Sequence, residues 1–226
     1  MPKLTRSNQT KHTMLLVVVA WVAAMVYSFW YFLLMDSRLF YANEQDRLVE
    51  FEKASLSNQL RAYVFEQQEG PLGKEHQGFI FHFWNPACSC DKANMAHVKK
   101  LMRLYGQQGF VFYIVPHLSD NLVANGSAHK AVWLELLNEY PEHIKWVDKH
   151  SIKTLPIPAS PSAAVLNGQG KLSYFGPYAL GGVCKADENG LIETVLNSMV
   201  AGLKPDHPFV GGFGCFCQWN TSSNTR

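Results

Sequence analysis

The amino-acid sequence predicts an α/β sandwich with a central mixed sheet, preceded by one transmembrane helix. Three observations support this fold class. A long uncharged apolar run follows the first dozen residues, strand-like and helix-like segments alternate from Gly78 onward, and an Asn/Gly turn signal separates two late strand-like segments. Alternating strands and helices are typical of α/β domains, and a late hairpin adds an antiparallel pair to a sheet that begins with parallel strands.

Length and composition exclude several classes of protein. The chain has 226 residues, which allows one ordinary domain of roughly 100–200 residues with accessory segments. A formal net charge of +2 is too small to predict nucleic acid as a partner. No phosphate-binding glycine loop is present in the sequence, so we expect no organic cofactor.

The first element is a candidate membrane anchor. Residues 13–35 contain no Asp, Glu, Lys or Arg, and a membrane span requires roughly 20 mostly apolar residues. The basic residues that precede it, with no acidic residue among them, are Lys3, Arg6 and Lys11. Because short basic flanks stay in the cytoplasm, we expect residues 1–13 to be a cytoplasmic tail and residues 14–35 to be a signal-anchor in the lipid bilayer.

A cleaved signal peptide is the alternative to a permanent anchor. Its apolar core is usually shorter, about 7–15 residues, and small residues mark the cleavage site. The run here ends in the bulky stretch SFWYFLLMDSRLFY, which favours the anchor. We therefore expect a single-pass protein of the bacterial inner membrane, with a cytoplasmic N-terminus and a periplasmic C-terminal domain.

Residues 36–69 are predicted to form a stalk or linker helix, or else the first element of the domain. Apolar residues recur at loosely helical spacing at Leu48, Phe51, Leu56, Leu60 and Val64. The Gly-rich stretch EGPLGKEHQG then marks a boundary. We assign residues 70–204 to the α/β domain and residues 205–226 to a C-terminal tail rich in Gly and Cys.

The domain begins with two buried strands separated by a helix. GFIFHFW (78–84) and FVFYIV (110–115) are nearly continuous apolar runs, as expected for strands covered on both faces. Between them, apolar residues recur at helical spacing at Met95, Val98, Met102 and Tyr105. Gly106 is placed to end this helix.

The second half of the domain completes the sheet. AHKAVWLELLNEY (128–140) predicts a helix, and HIKWVD (143–148) predicts a short edge strand. SAAVLNGQGKLSYFG (162–176) predicts a hairpin around residues 167–170, because Asn and Gly tolerate positive φ. ADENGLIETVLNSMVAGL (186–203) predicts the last helix.

The cysteines form two Cys-x-Cys pairs and a singleton: Cys88, Cys90, Cys184, Cys215 and Cys217. An exported domain meets an oxidising compartment, where disulfides persist. An odd count leaves at least one thiol free or paired between molecules. The count alone therefore does not favour a purely structural disulfide framework.

Several landmarks in this order are similar to those of a known family. Phe83 and Trp84 end the first central strand, and Cys88 begins the next helix. Pro161 directly precedes the strand SAAVL, and the hairpin NGQGKLSYFG follows. Over residues 70–203 the chain resembles the thioredoxin-like proteins, in particular the membrane-anchored branch related to the AhpC/TSA and TlpA groups. The resemblance implies a thioredoxin-like sandwich that exchanges disulfides with the thiols or disulfides of exported proteins, as a thiol-disulfide oxidoreductase.

The chain departs from the Cys-x-x-Cys motif that is usual in this family. The second thiol is Cys90, and Asp91 occupies the position expected for the second cysteine. The peroxidase branch carries a Thr three residues before its reactive Cys and a Pro four residues before that Thr. Asn85 and Phe81 stand at those positions, so the sequence does not support peroxidase activity.

Cys88 is the candidate nucleophile, because the free N–H groups and the dipole of a helix N-terminus lower the pKa of a thiol. Cys90 is a possible resolving thiol, since residues two apart can approach the Cα separation of about 4.4–6.8 Å that a disulfide needs. The small ring would be strained and easy to reduce. Asp91 opposes this activation, because a nearby carboxylate raises the pKa of a thiol.

The resemblance also implies a substrate-binding site at Ser160 and Pro161. In thioredoxin-like proteins the proline opposite the reactive cysteine is cis, and the backbone beside it holds an extended substrate segment. Pro156 and Pro158 lie nearby, and Pro161 is preferred because it directly precedes SAAVL. An ordinary trans proline that enters a strand is the alternative.

The second pair, Cys215 and Cys217, allows three interpretations. It is a second redox pair on a glycine-rich arm that exchanges disulfides with Cys88 and Cys90, or it forms a structural disulfide, either with the first pair or within the C-terminal pair, that pins the tail to the domain. In the third, the four thiolates bind zinc or Cu(I), which makes a copper or zinc delivery protein an alternative function. A redox-inactive interaction module is the remaining alternative.

Three further residues are weaker candidates. Cys184 is the odd free thiol, a partner for the tail or a simple buried thiol. His82 is a proton relay to Cys88 or, as is commoner inside a strand, a satisfied core histidine. His117 follows the second strand and can reach the same end of the sheet, where ligands of α/β domains gather.

Overall fold

The computed structural model describes residues 6–36, 38–39, 46–67, 76–117, 130–147, 157, 159–178, 184, 190–205, 213–214 and 217–219. The chain divides into two units, Met1–Arg38 and Leu39–Arg226. The first unit contains one long helix, and the second contains the central sheet.

Helix α1 (Arg6–Asp36) confirms the predicted apolar helix near the N-terminus. It contains 31 residues, so at 1.5 Å per residue it is about 46 Å long. Its segment Lys11–Tyr31 is long and apolar enough to cross a membrane. Large apolar side chains such as Trp21 and Phe29 are exposed along this segment, which suits a helix surrounded by lipid.

The elements that follow α1 are β1 (Arg38–Leu39), α2 (Asp46–Gln67), β2 (Gly78–Trp84), α3 (Ser89–Gly106), β3 (Phe110–Pro116), α4 (Leu134–Glu139), β4 (Ile144–Trp146), β5 (Ala159–Ser160), β6 (Ser162–Asn167), β7 (Leu172–Pro177), α5 (Leu191–Val200), β8 (Phe213–Gly214) and β9 (Cys217–Gln218). Helix α3 and strands β2 and β3 lie where the sequence predicts them. The predicted last helix is regular over α5, and residues 186–189 of that prediction lie outside the described residues.

Five strands form a mixed sheet in the order β4-β3-β2-β6-β7. Strand β2 pairs in parallel with β3, and β3 pairs in parallel with β4. On its other side β2 pairs antiparallel with β6, which pairs antiparallel with β7. The predicted edge strand and the predicted mixed sheet are both confirmed, and the arrangement is that of a thioredoxin-like sandwich.

Both faces of this sheet are covered, and β2 shows why its sequence is apolar throughout. All seven of its residues are buried. Phe79, Phe81 and Phe83 pack into one apolar cluster, whereas Ile80 and Trp84 pack into another. Because successive side chains of a strand point to opposite faces, a continuous apolar run fits a strand that is covered on both sides.

The second half of α2 covers one of these faces. Leu56, Leu60 and Val64 are buried and share an apolar cluster with Phe79 and Phe81. Their spacing of four residues places them on one side of the helix. This half of the predicted stalk segment therefore forms the first element of the sandwich, opposite helices α3, α4 and α5, which contribute to the other cluster.

The hairpin between β6 and β7 confirms its turn signal. Gly170 has a φ of 77°, and its N–H donates to the carbonyl oxygen of Asn167 at 2.8 Å. The side-chain oxygen of Asn167 accepts hydrogen bonds from the N–H groups of Gln169 (3.1 Å) and Lys171 (2.9 Å). Asn and Gly thus close this turn by the chemistry that favours them in turns.

The helix predicted over residues 128–140 is interrupted at residues 132–133: residues 130–131 and α4 are helical, and residues 128–129 lie outside the described residues. The N–H of Trp133 donates to the carbonyl oxygen of Lys130 at 2.9 Å, a three-residue step that interrupts the α-helical pattern. Trp133 is fully buried, and its ring lies 5.4 Å from that of His82. The burial of this indole accompanies the irregular turn, and nothing in the local sequence announces it.

Candidate active site

Cys88 lies where the central strand β2 ends and helix α3 begins. Its N–H donates to the carbonyl oxygen of Asn85 at 2.9 Å, and its own carbonyl oxygen accepts from Lys92 at 3.3 Å. The side-chain oxygen of Asn85 accepts from the N–H of Ala87 at 3.0 Å, which closes the turn between strand and helix. Cys88 is thus the N-cap residue of an 18-residue helix, a position that stabilises a thiolate.

Cys88 forms a disulfide with Cys217. The S–S distance is 2.07 Å, the Cα–Cα distance is 5.8 Å, and 129 positions separate the two residues. Cys88 is fully buried, whereas Cys217 is half-buried. This bond brings the C-terminal tail to the end of the central strand. It agrees with two of the interpretations of the Cys215 and Cys217 pair, namely redox exchange with Cys88 and a crosslink between tail and domain. Cys215 lies outside the described residues.

Cys90 forms a disulfide with Cys184, and not with Cys88. The Cα–Cα distance is 4.8 Å, and the sequence separation is 94. Residues two apart on a helix do not face each other, so the two thiols of the Cys-x-Cys motif diverge. The strained Cys88–Cys90 ring is therefore not formed in this state. Cys184 is bonded to Cys90 of α3, so Cys184 is neither a free thiol nor a partner of the tail.

Asn94 connects this second disulfide to the backbone of α3. Its buried side-chain nitrogen donates to the carbonyl oxygen of Cys90 at 2.8 Å and also to the carbonyl oxygen of Cys184. A buried amide that makes two hydrogen bonds costs little, whereas an unpaired one is expensive. Asn94 therefore helps to hold Cys184 beside Cys90.

The Ser160–Pro161 peptide bond is cis, and Ser160 lies beside Cys88. The Sγ of Cys88 is 3.8 Å from the carbonyl oxygen of Ser160, although 72 positions separate the two residues. Both Ser160 and Pro161 are buried. The fold thus brings together three residues selected from the sequence, while the substrate-binding role of Ser160 and Pro161 stays a prediction. Pro156 and Pro158 lie outside the described residues.

The tail is also held by backbone pairing and by an aromatic side chain. Strand β9 pairs antiparallel with β5, with Ser160 opposite Cys217 and Ala159 opposite Gln218. Trp219 is only 6% exposed. Its ring lies 5.6 Å from that of Phe83 in an edge-on arrangement and 5.0 Å from that of His117.

Asp91 is a buried acid at the position where the family usually has its second cysteine. Its Oδ2 accepts a hydrogen bond from the N–H of Asn85 at 3.1 Å. Burial raises the pKa of Asp91 to about 8, against smaller opposite effects of the Asn85 N–H and the Ser160 hydroxyl. Oδ1 of Asp91 and Oγ of Ser160 make no hydrogen bond of normal geometry to the described residues. The effect of the Ser160 hydroxyl on the pKa of Asp91 is therefore small.

The raised pKa of Asp91 alters its expected effect on Cys88. A carboxyl group with a pKa near 8 is largely neutral at pH 7. It therefore opposes a neighbouring thiolate less strongly than an exposed carboxylate does. Burial raises the pKa of the Tyr178 hydroxyl well above its usual value, and Asp91 adds a smaller effect in the same direction.

The two candidate histidines occupy different environments. His82 is buried between the rings of Trp133 and Tyr178, each 5.4 Å away. Burial lowers the pKa of His82 to about 3, so its ring is neutral at pH 7. His82 is a core histidine, but its Nδ1 makes no hydrogen bond to the described residues, so the prediction of a satisfied ring is not borne out. His117 lies at the carboxyl end of β3, donates its N–H to the carbonyl oxygen of Trp84 at 2.7 Å, and contacts the tail.

The thiols of the metal alternative are engaged in disulfides in this state. Cys88, Cys90 and Cys217 are oxidised, and Cys215 lies outside the described residues. A thiolate, and not a disulfide sulfur, is the effective metal ligand. Among the side chains that the structure describes, no group of three or more His, Cys, Asp or Glu residues is arranged to hold a metal ion.

Sequence reasoning missed three parts of this site. The bond between Cys90 and Cys184 cannot be deduced from spacing, because five cysteines allow many connectivities. Asp91 stood out as a replaced cysteine, yet its burial depends on the packing of distant segments. Trp219 had one available signal, its position as a large aromatic residue just after the last cysteine.

Solved structures of low sequence identity resemble the domain. An uncharacterized conserved protein from Geobacillus kaustophilus is 18% identical, with 65% of this chain and 79% of that chain covered and a TM-score of 0.49. A hypothetical protein from Sinorhizobium meliloti 1021 is 13% identical, with coverages of 66% and 82% and a TM-score of 0.49. The solution structure of a thioredoxin-like protein in the oxidized form is 19% identical, with coverages of 58% and 82% and a TM-score of 0.44.

Family membership follows from a match of sequence. No curated protein matches the chain. Residues 57–219, well over half of the chain, match the family described as "Domain of unknown function (DUF6436)". The matched region begins within α2 and ends at Trp219, so it contains the whole sheet and both disulfides. The chain therefore belongs to the DUF6436 family.

Proposed function

We propose that this protein exchanges thiols and disulfides, with Cys88 as the attacking thiol. One observation carries the proposal: Cys88 is a helix N-cap residue that forms a disulfide with the distant Cys217, beside the cis Ser160–Pro161 bond. A helix N-terminus favours the thiolate, which is the reactive form of cysteine. The surrounding sheet and helices hold this sulfur at the carboxyl end of the central strand.

The first step starts from the reduced protein. The Cys88 thiolate attacks one sulfur of a substrate disulfide and forms a mixed disulfide with it. The other substrate sulfur leaves as a thiolate and takes a proton from solvent. Two features favour the attack: the N-terminus of α3 stabilises the Cys88 thiolate, and Asp91 is largely neutral because burial raises its pKa to about 8.

The second step releases the substrate. The Cys217 thiolate attacks the Cys88 sulfur, the Cys88–Cys217 bond forms, and the remaining substrate sulfur leaves as a thiolate. Two electrons have then moved from the protein's dithiol to the substrate disulfide, and the reverse sequence gives a disulfide to a substrate dithiol. Cys217 takes the role first considered for Cys90, because Cys217 is bonded to Cys88 and Cys90 is bonded to Cys184.

The proposed substrates are thiols or disulfides of exported proteins. An apolar helix spans Lys11–Tyr31, and the residues that flank it on the N-terminal side are basic and not acidic. Basic flanks favour a cytoplasmic N-terminus. The proposal therefore anchors the chain in the bacterial inner membrane through residues 14–35, with the sandwich in the oxidising periplasm.

Redox equilibration of the full-length protein in detergent micelles tests the activity. The protein is incubated in graded glutathione buffers, and each cysteine is assigned by differential alkylation and mass spectrometry. We expect Cys88 and Cys217 to titrate together within roughly −120 to −270 mV, the range of thiol-disulfide enzymes. A Cys88–Cys217 bond that no buffer in this range reduces would contradict the proposal.

Two sets of variants separate the candidate resolving thiols. With a fluorescent disulfide substrate, Cys217→Ser in a protein that also carries Cys215→Ser is expected to accumulate a mixed disulfide on Cys88, because neither thiol of the tail remains to complete the second step. The double variant C90S/C184S keeps the Cys88–Cys217 couple and is expected to complete it. The opposite pattern, with accumulation only in the double variant, would assign resolution to Cys90.

Reporter fusions test the location. We expect alkaline phosphatase, which is active only after export, to be active when it is fused to the C-terminus of the full chain in a bacterial host. A fluorescent protein that matures only in the cytoplasm serves as the control and is expected to stay dark at the same position. A bright cytoplasmic reporter with inactive phosphatase would reverse the proposed orientation.

A further inference from the structure

The segment Cys217–Trp219 makes three kinds of contact that a bound peptide can also make. Its cysteine is bonded to Cys88. Its backbone pairs antiparallel with β5. Its tryptophan is buried two residues after the cysteine. Addition of an extended segment to a strand edge is a general mode of peptide recognition, in which the backbone gives affinity and side-chain pockets give selectivity.

The aromatic contact is the selective part of this arrangement. Trp219 packs with the rings of Phe83, at the end of β2, and His117, just after β3. It also belongs to the apolar cluster that contains Ile157 and Ala159. Backbone pairing accepts almost any sequence, whereas an apolar site that buries an indole to 6% exposure favours large aromatic side chains.

The same contacts restrict access to Cys88. Cys88 is fully buried while it is bonded to Cys217. After reduction, the contacts of Cys217–Trp219 that remain among the described residues are the backbone pairing with β5 and the packing of Trp219. An incoming substrate segment therefore competes with the tail for the edge of β5, the aromatic site and the sulfur of Cys88.

We infer that the site now filled by Cys217–Trp219 binds extended segments of partner proteins that carry a cysteine followed two residues later by an aromatic residue, and that the tail is an intramolecular competitor for this site. This inference rests on the proposed exchange activity. It adds to that activity the chemical class of the substrate segment.

The test uses full-length protein in detergent micelles with the substitutions Cys217→Ser and Trp219→Ala, which vacate the site. The probes are the peptides Ala-Cys-Gln-Trp-Ala and Ala-Cys-Gln-Ala-Ala, each with its cysteine bonded to glutathione. The Cys88 thiolate attacks the peptide sulfur, the Cys88–peptide bond forms, and glutathione leaves as a thiolate. Mass spectrometry measures the rate at which this adduct appears on Cys88.

We expect the tryptophan peptide to react about tenfold faster than the alanine peptide, the factor expected for one well-packed aromatic contact. His117→Ala should reduce this preference severalfold, because His117 contacts the indole. His143→Ala is the matched control: His143 directly precedes β4, at the opposite end of the sheet from His117, and its loss should leave the preference unchanged. In a protein that carries Cys217→Ser but keeps Trp219, the tryptophan peptide should react more slowly, because Trp219 then competes for the aromatic site.

The outcomes separate this inference from the proposed function. Equal rates for the two peptides, with adducts on Cys88, would overturn the inference and leave the exchange activity in place. An absence of any adduct on Cys88 would contradict the exchange activity itself. A preference for tryptophan that survives His117→Ala and is unaffected by Trp219 would place aromatic recognition elsewhere and also overturn the inference.

Discussion

Asp91 is a carboxylic acid in the core, one residue after a disulfide-bonded cysteine. It is 2% exposed, and burial raises its pKa to about 8. An acid whose pKa is higher in the folded state binds more protons in that state than in the unfolded chain, where its pKa is about 3.9. Its contribution to stability is therefore full below about pH 4 and is lost as the pH rises through about 8.

The substitution Asp91→Asn is expected to remove this pH dependence. The wild-type protein should lose stability between about pH 4 and pH 8, whereas the variant should have a flatter profile, because an amide does not titrate. Urea unfolding of the full chain in micelles at several pH values measures the difference. The control is Glu142→Gln, which removes an exposed carboxyl group and should leave the pH dependence of the buried acid in place. If the stability of Asp91→Asn fell with pH as steeply as that of the wild-type protein, the raised pKa of Asp91 would be contradicted.

At the scale of a single element, helix α3 organises both disulfides. Its N-cap residue is Cys88, its second residue is Cys90, and Asn94 lies one turn further along. The two cysteines leave the helix in different directions, so each meets a different distant segment. Asn94 then secures the second of these segments through its hydrogen bond to the carbonyl oxygen of Cys184.

Removal of the Asn94 amide should weaken this attachment. Asn94→Ala is expected to lower the free energy of unfolding by about 1–3 kcal/mol, the range for a lost buried hydrogen-bonding partner. It should also speed the reduction of the Cys90–Cys184 bond, as measured by timed alkylation and mass spectrometry in dilute reductant.

Asn197→Ala is the matched control for this prediction. Asn197 on α5 accepts a hydrogen bond from the Tyr105 hydroxyl at 2.8 Å. Tyr105 lies near the C-terminal end of α3, whereas both disulfides lie near its N-terminal end. Loss of the Asn197 amide should destabilise the protein without changing the reduction rate of the Cys90–Cys184 bond. Equal acceleration in both variants would show that general destabilisation, and not the contact to Cys184, controls the reduction.

At the scale of the whole molecule, the Cys88–Cys217 bond joins segments separated by 129 positions. It connects the end of the central strand to the tail, and β5 and β9 pair beside it. A crosslink that closes a long loop stabilises a protein mainly by restricting its unfolded chain. The same bond can therefore be both a stabilising crosslink and the oxidised state of an exchange couple.

Cys217→Ser is expected to lower the free energy of unfolding of the oxidised protein by about 2–5 kcal/mol. Urea unfolding measured by tryptophan fluorescence provides the comparison. Under reducing conditions the wild-type protein and the variant should differ little, because the bond is absent from both. A variant that is as stable as the oxidised wild type would show that the bond does not restrict the unfolded chain.

Much of the fold could be predicted, because its signals are local. A continuous apolar run predicts β2, helical spacing and Gly106 predict α3, and Asn167 with Gly170 predicts the hairpin. Each signal is contained within a few consecutive residues. The interruption at residues 132–133 of the helix before β4 could not be predicted, because the burial of Trp133 beside His82 is a tertiary contact that helical periodicity does not contain.

Local signals along the chain are enough to predict the order of strands and helices, the apolar segment near the N-terminus, and the placement of Cys88 at the start of a helix. These properties depend on side chains that are neighbours along the chain. The pairing of Cys88 with Cys217, the pairing of Cys90 with Cys184 and the burial of Asp91 follow from the folded arrangement instead. Disulfide pairing and burial depend on distances between segments that lie tens of residues apart, and these distances are set only when the sheet and its covering helices pack together.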